Sequence, residues 1–181
     1  MLLFLALGSF TSAQAVPACK KFYLPAGMQI GCTASACKTY YVPPGQQLGC
    51  SELACRTYYA GAGKQLGCWK NGCNTFYVRP GTALACGQSK CHLIGVRPGE
   101  KVGCFGDNCR PFYPRPGEVV GCTQRGCQLH YVRINEALGC TKNDCRPYYL
   151  KTGEVLACNE RQCQVHYLRA GEGAACYKFF P

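Results

Sequence analysis

The residues best equipped for chemistry are the eighteen cysteines of this 181-residue chain. A thiolate can serve as nucleophile, metal ligand or half of a disulfide. The cysteines stand at Cys19, Cys32, Cys37, Cys50, Cys55, Cys68, Cys73, Cys86, Cys91, Cys104, Cys109, Cys122, Cys127, Cys140, Cys145, Cys158, Cys163 and Cys176, so their separations alternate 13 and 5 without exception. Structural zinc sites favour C-x2-C knuckles with histidine partners. No C-x2-C occurs, and His92, His130 and His166 are too few to serve nine units. About one residue in ten is cysteine, a density found where disulfides form and persist, so the spacing reads as a bridge framework in an oxidising compartment.

Other reactive groups are scattered or merely repeated. Asp107, Asp144 and the serines fall at irregular places, and no histidine, acid and nucleophile recur together as a triad would require. Glu100, Glu118, Glu136, Glu154 and Glu172 come once per repeat, each beside a base at the same turn. That is copying rather than a carboxylate pair. The expectation is a non-enzymatic protein with no catalytic residues, metal or cofactor.

The element that positions the cysteines is an 18-residue repeat, C-x12-C followed by four spacer residues, in nine copies over about 19–36, 37–54, 55–72, 73–90, 91–108, 109–126, 127–144, 145–162 and 163–181. Such a period marks an array whose neighbouring units complete one another's core. Within the unit the fourth position is bulky (Phe22, Tyr40, Tyr58, Phe76, Ile94, Phe112, His130, Tyr148, His166) and the fifth is Tyr in all copies but one, where Gly95 stands. Aromatic and β-branched residues in so short a run favour a strand. The ninth position is Gly, or Asn135 in one copy. Pro44-Gly45, Pro80-Gly81, Pro98-Gly99 and Pro116-Gly117 suit the centre of a type II turn, whose third residue needs a positive φ.

The unit therefore reads as strand, turn, strand. The fold class expected is an all-β, disulfide-rich tandem-repeat array of nine β-hairpins forming an elongated rod or strip, with a disulfide-ribbed β-solenoid as the alternative. Bridging across x12, Cys19 with Cys32 through Cys163 with Cys176, leaves no cysteine over, whereas bridging across the x4 spacer strands Cys19 and Cys176. The first is favoured. Against it, a hairpin turning at positions eight and nine sets position 14 opposite position three, so bridges across x4, between neighbouring units, stay open. The spacers, such as Thr33 to Ala36 and Phe105 to Asn108, read as loops. Turn bases and acids such as Arg115 and Glu118 are expected to face one another, for a few tenths of a kcal/mol to about 1.

Residues 1–15 have the form of a cleaved signal peptide: an apolar run from Leu2 to Leu7, then the A-x-A site Ala13-Gln14-Ala15. No stretch is long enough for a transmembrane span. The mature chain is expected to be secreted and basic. Of the net +11, residues 16–90 carry +7, with Glu52 their one acid, and residues 91–181 carry +4. A secreted cation is drawn to anionic polysaccharides, acidic matrix proteins and mineral-associated polymers rather than to nucleic acid. The candidate polymer-binding residues are Tyr41, Tyr59, Tyr77, Tyr113, Tyr131 and Tyr149 with Lys20, Lys21, Lys38, Arg56 and Arg79. The tyrosines read first as a half-buried core between repeats with their hydroxyls wet; a binding ladder holds as well if one of the two adjacent aromatics packs and the other faces out, since strand neighbours point to opposite sides. The function read from these features is that of a structural protein of an extracellular matrix, such as a shell, cuticle, egg envelope or adhesive layer. It would bind an anionic or polysaccharide scaffold and is open to self-association. A soluble cationic defence protein or protease inhibitor is the alternative.

Overall fold

The structure, a computed structural model, describes residues 19–176. The segment read as a signal peptide and the tail after Cys176 lie outside the described residues. Eighteen short strands follow one another: β1 (Lys20–Tyr23), β2 (Met28–Cys32), β3 (Cys37–Tyr41), β4 (Gln46–Cys50), β5 (Cys55–Tyr59) and β6 (Lys64–Trp69). Then come β7 (Gly72–Tyr77), β8 (Thr82–Cys86), β9 (Cys91–Gly95), β10 (Lys101–Phe105), β11 (Asn108–Phe112) and β12 (Glu118–Thr123). The last are β13 (Gly126–Tyr131), β14 (Glu136–Cys140), β15 (Cys145–Tyr149), β16 (Glu154–Cys158), β17 (Cys163–Tyr167) and β18 (Glu172–Ala175). There is no helix among the described residues, and none long and apolar enough to cross a membrane.

The strands form nine antiparallel two-stranded ribbons, so the all-β array of hairpins is as the repeat led one to expect. The phase of the hairpins differs. Each ribbon pairs the strands that flank a spacer, β2 with β3 and β4 with β5, in a register that sets Cys32 opposite Cys37 and Cys50 opposite Cys55. The spacer is a hairpin turn rather than an irregular loop: the Thr33 N–H bonds to the Ala36 carbonyl at 2.9 Å, leaving two residues at the tip. The Pro-Gly segment does make the turn expected of it, with Gln46 N–H on the Pro43 carbonyl at 3.1 Å and Gly45 at φ 80°. Asn135 takes φ 65°, the one positive value outside glycine among the described residues. A type II turn does not match the right-handed twist of a hairpin as the primed types do. It therefore serves as the link from one ribbon to the next.

The disulfides follow the same phase and correct the x12 pairing. Eight bridges cross spacers, from Cys32–Cys37 to Cys158–Cys163, each with five residues of separation. The two cysteines that this pairing strands, Cys19 and Cys176, bond to each other across 157 residues of sequence. Here β1 pairs with β18, Lys20 opposite Ala175 and Tyr23 opposite Glu172. The ninth ribbon is thus built from both chain ends, and the array closes on itself where a rod or strip would have had free ends. Even-numbered strands touch in succession all the way round, β18 meeting β2, while the odd-numbered strands lie outside them. The ribbons stand as separate blades, so no continuous barrel forms and no coil of a solenoid is present.

What holds blade to blade is a contact between a disulfide and a glycine. The residue before each repeat's second cysteine is small in every copy: Gly31, Gly49, Gly67, Ala85, Gly103, Gly121, Gly139, Ala157 and Ala175. A Cβ at Gly31 would lie 2.7 Å from Cys55 Sγ and 2.8 Å from Cys50 Sγ, which belong to the next blade. The pattern repeats at Gly67 and Gly139, where Leu84 and Leu156 join the sulfurs. No large side chain among the described residues is fully buried. Sulfur, the small residue before the cysteine and the aliphatic residue two before it, Leu or Val in seven units, Ile30 and Ala174 in the others, make the core, and backbone ladders tie both ends of it. At the spacer end Ala34, Glu52, Lys70 and Gln88 N–H groups each bond to a carbonyl 18 residues on, at 2.9–3.1 Å. At the turn end Val42, Val78, Val96, Val132, Leu150 and Leu168 bond back to the turn carbonyl of the preceding unit, and Leu24 closes the circle onto Gly171.

Candidate functional site: the aromatic and basic outer face

Strand alternation sends the fourth and fifth positions to opposite faces of a blade. The fourth-position ring packs against the glycine of its own ribbon, as Tyr40 does on Gly31 and Tyr148 on Gly139. The fifth-position tyrosine turns outward. Tyr23, Tyr41, Tyr59, Tyr77, Tyr113, Tyr131, Tyr149 and Tyr167 are 58–74% exposed. Tyr23, Tyr41, Tyr59, Tyr77, Tyr113, Tyr131 and Tyr167 are nonetheless held at one edge, because each ring lies over the turn glycine of the preceding unit. A Cβ built on Gly27 would be 3.0 Å from Tyr41, one on Gly63 3.0 Å from Tyr77, and one on Gly117 2.7 Å from Tyr131. Glycine is needed there twice over, for the positive φ and for the ring. Closure carries the pattern across the chain ends, where Tyr23 covers Gly171. The result is a circlet of eight tyrosines with one gap, at Gly95, where a Cβ built on Gly81 or on Gly95 would meet nothing within 4 Å.

The predicted site residues fall into two sets. Tyr41, Tyr59, Tyr77, Tyr113, Tyr131 and Tyr149 share the circlet, with Arg79 on a turn beside it. Lys20, Lys38 and Arg56 lie on the opposite blade face, at the second position of the outer strands, and Lys21 lies on the tyrosine face of β1; all four are exposed. Because blades stack face to back, the second-position face of one blade looks at the tyrosine face of the next. Arg110 spans that space, its Nη2 donating to the Cys127 carbonyl at 3.3 Å. The grooves between outer strands thus bring together a base from one wall and a tyrosine from the other.

Two of the second-position bases are engaged within their own blade. Arg110 lies over Phe112 at 4.9 Å and Arg146 over Tyr148 at 5.2 Å. Arg146 Nε also donates to the Tyr148 hydroxyl at 2.7 Å, and that bond raises the guanidinium pKa further. The turn acids behave differently from the ion pairs the sequence suggested. Glu100, Glu118, Glu136, Glu154 and Glu172 accept a hydrogen bond from the backbone N–H of the base three residues earlier, at 2.7–2.8 Å, and make no ion pair with its side chain. The ion pair present among the described residues is Lys70–Glu52, at 3.8 Å.

The small residue before the second cysteine escaped the sequence reading although it was visible as an invariant Gly or Ala. So did the axial depression at the spacer end, a cavity of about 730 Å³ lined by the second cysteine of every unit and by spacer residues such as Glu52, Lys70, Lys142 and Glu160. Comparison with protein-family models, with curated proteins and with solved structures finds no match for the chain.

Proposed function

We propose that this is a secreted, non-enzymatic structural protein of an extracellular matrix that holds a polysaccharide or anionic scaffold through repeated tyrosine-bearing grooves. The observation that carries the reading is the circlet of eight exposed tyrosines, seven of them fixed over the turn glycine at the same place in the preceding unit. An exposed aromatic ring offers an apolar face with a polar tip, the surface on which a sugar ring stacks at low entropic cost when the ring is already held. Many equivalent weak sites on one rigid frame give avidity without a single strong site. The nine bridges require an oxidising environment in which to form, in keeping with export from the cell.

The test combines extraction and binding. Native material is washed in turn with dilute buffer, high salt and denaturant with reductant, and refolded protein is sedimented with insoluble polysaccharides. Retention past the first wash, and sedimentation that falls stepwise as circlet tyrosines are changed to Ala, support the reading. Complete recovery in dilute buffer as a free monomer, with no polysaccharide retaining the protein, overturns it.

A further inference from the structure

We infer that the scaffold's binding segment is a polyanion, a sulfated or uronic polysaccharide, and that it lies in the consecutive grooves behind β1, β3 and β5. This rests on the proposed function and assigns its chemistry and place. Three observations converge on the same blades. Lys20, Lys38 and Arg56 occupy the second position of three successive blades, exposed and engaged by no ion pair or ring contact among the described residues. Elsewhere that position is amide, histidine or an arginine stacked on its own aromatic.

On the same face as Lys38 and Arg56, the inner strands present Gln29 opposite Tyr40 and Gln47 opposite Tyr58. Both amides are exposed, whereas Val119, Ala137 and Val155 stand at that position in later blades. The grooves behind β3 and β5 thus have a cation, an amide able to donate and accept, and the tyrosine of the next blade; the groove behind β1 has the cation and the tyrosine, with Gly173 in place of the amide. At about 3.3 Å per strand residue, the base and the facing tyrosine are roughly 10 Å apart along the groove, so an extended chain laid there meets both. Finally, the acids are elsewhere. Across residues 16–90 the one acid, Glu52, lines the axial depression and is paired with Lys70. Ring closure makes this arc one flank of the molecule; the carboxylate it brings in with β18, Glu172, lies opposite Tyr23 on the face away from Lys20 and accepts from the Arg169 N–H.

The experiment measures binding of the full chain to dextran sulfate and to unsubstituted dextran, which differ only in charge. A K20Q/K38Q/R56Q variant is set against R115Q/R133Q/K151Q, which loses the same charge from exposed turns. Intact bridges and an unchanged circular dichroism spectrum check that each variant is folded. The expected result is binding to dextran sulfate that weakens by about 30-fold or more in the first variant, with a salt dependence shallower by about three ions, and by less than about twofold in the second. Equal losses in the two variants would mean that net charge alone acts, and would overturn the inference. Equal retention on both dextrans, with the first variant unaffected, would overturn it while leaving the tyrosine-based function standing. Failure to bind either dextran or any insoluble polysaccharide would remove the function and the inference together.

Discussion

Cys19 and Cys176 are bonded with their Cα atoms 4.1 Å apart, although 157 residues separate them in the chain. The other eight bridges close five-residue separations inside hairpins that the backbone ladder already forms. In the chain-entropy model a long loop contributes roughly 5 kcal/mol and so short a loop roughly 2. A C19S/C176S variant is therefore expected to lose more stability than C86S/C91S, to denature at a distinctly lower midpoint, and to exchange the amide protons of β1 and β18 first. Equal midpoints for the two variants would show that the bridge at the chain ends adds nothing beyond the β1–β18 ladder.

Gly139 separates two outcomes of the stacking contact. A Cβ there would meet Cys163 Sγ at 2.8 Å and a Tyr148 ring carbon at 2.7 Å. Ala157 and Ala85 carry that atom in other blades and are buried, so the neighbours can give by a few tenths of an ångström. G139A is expected to cost about 1 kcal/mol, and G139V about 3 or more, as overpacking does in a close-packed site. Denaturant unfolding of the oxidised proteins measures both, and a neutral G139V would refute the stacked sulfur core.

Glu118 acts on the backbone and not on its neighbour's charge. Its carboxylate accepts from the Arg115 N–H at 2.7 Å. E118A is expected to lower stability by about 1 kcal/mol, the net worth of such a bond, while R115A changes it by less than about 0.5. Thermal unfolding at matched salt checks the order, and a reversed order would restore the ion-pair reading.

Much of this architecture could be read from the residues, and the part that could not has a definite cause. The strands and the type II turn at Pro43 to Gln46 follow from local chemistry, whereas the tyrosines read first as a core between repeats and the structure turns the fifth-position ring outward. Pairing phase does not follow from local chemistry, because each period holds two chain reversals and either can head a hairpin. The turn type favoured the spacer, since type II turns splay paired strands. The misfit of position 14 against position three pointed the same way. Counting leftover cysteines pointed wrongly, because it treated the array as open. Closure depends on the angle between stacked blades, which no single repeat encodes. The grooves were hidden for the same reason: that Lys38 and Tyr59 line one groove follows only once face-to-back stacking is known.

Asp107 adds a pH dependence at the spacer end. The Ser89 hydroxyl and then the Ser89 N–H donate to its carboxylate, holding the pKa below the ordinary 3.8. A carboxyl depressed in the folded state stabilises fully above its unfolded pKa, and that contribution disappears as pH falls through the folded value. The link between these two spacers is therefore complete at neutral pH and is lost as pH falls through a value below 3.8. Carbon-13 titration of Asp107 should give a midpoint below 3.8 that rises in S89A; an unchanged midpoint would remove the link.

Closure has one more consequence, for how such a protein can change over generations. Tandem repeats ordinarily gain and lose copies by unequal recombination, and an open stack tolerates this because each unit needs only its neighbours. Here nine blades complete the circle. A tenth copy, or the loss of one, would leave Cys19 and Cys176 unable to meet unless every blade angle shifted. Heritable variation is thereby confined to the letters within each copy, while the number of copies is fixed by geometry.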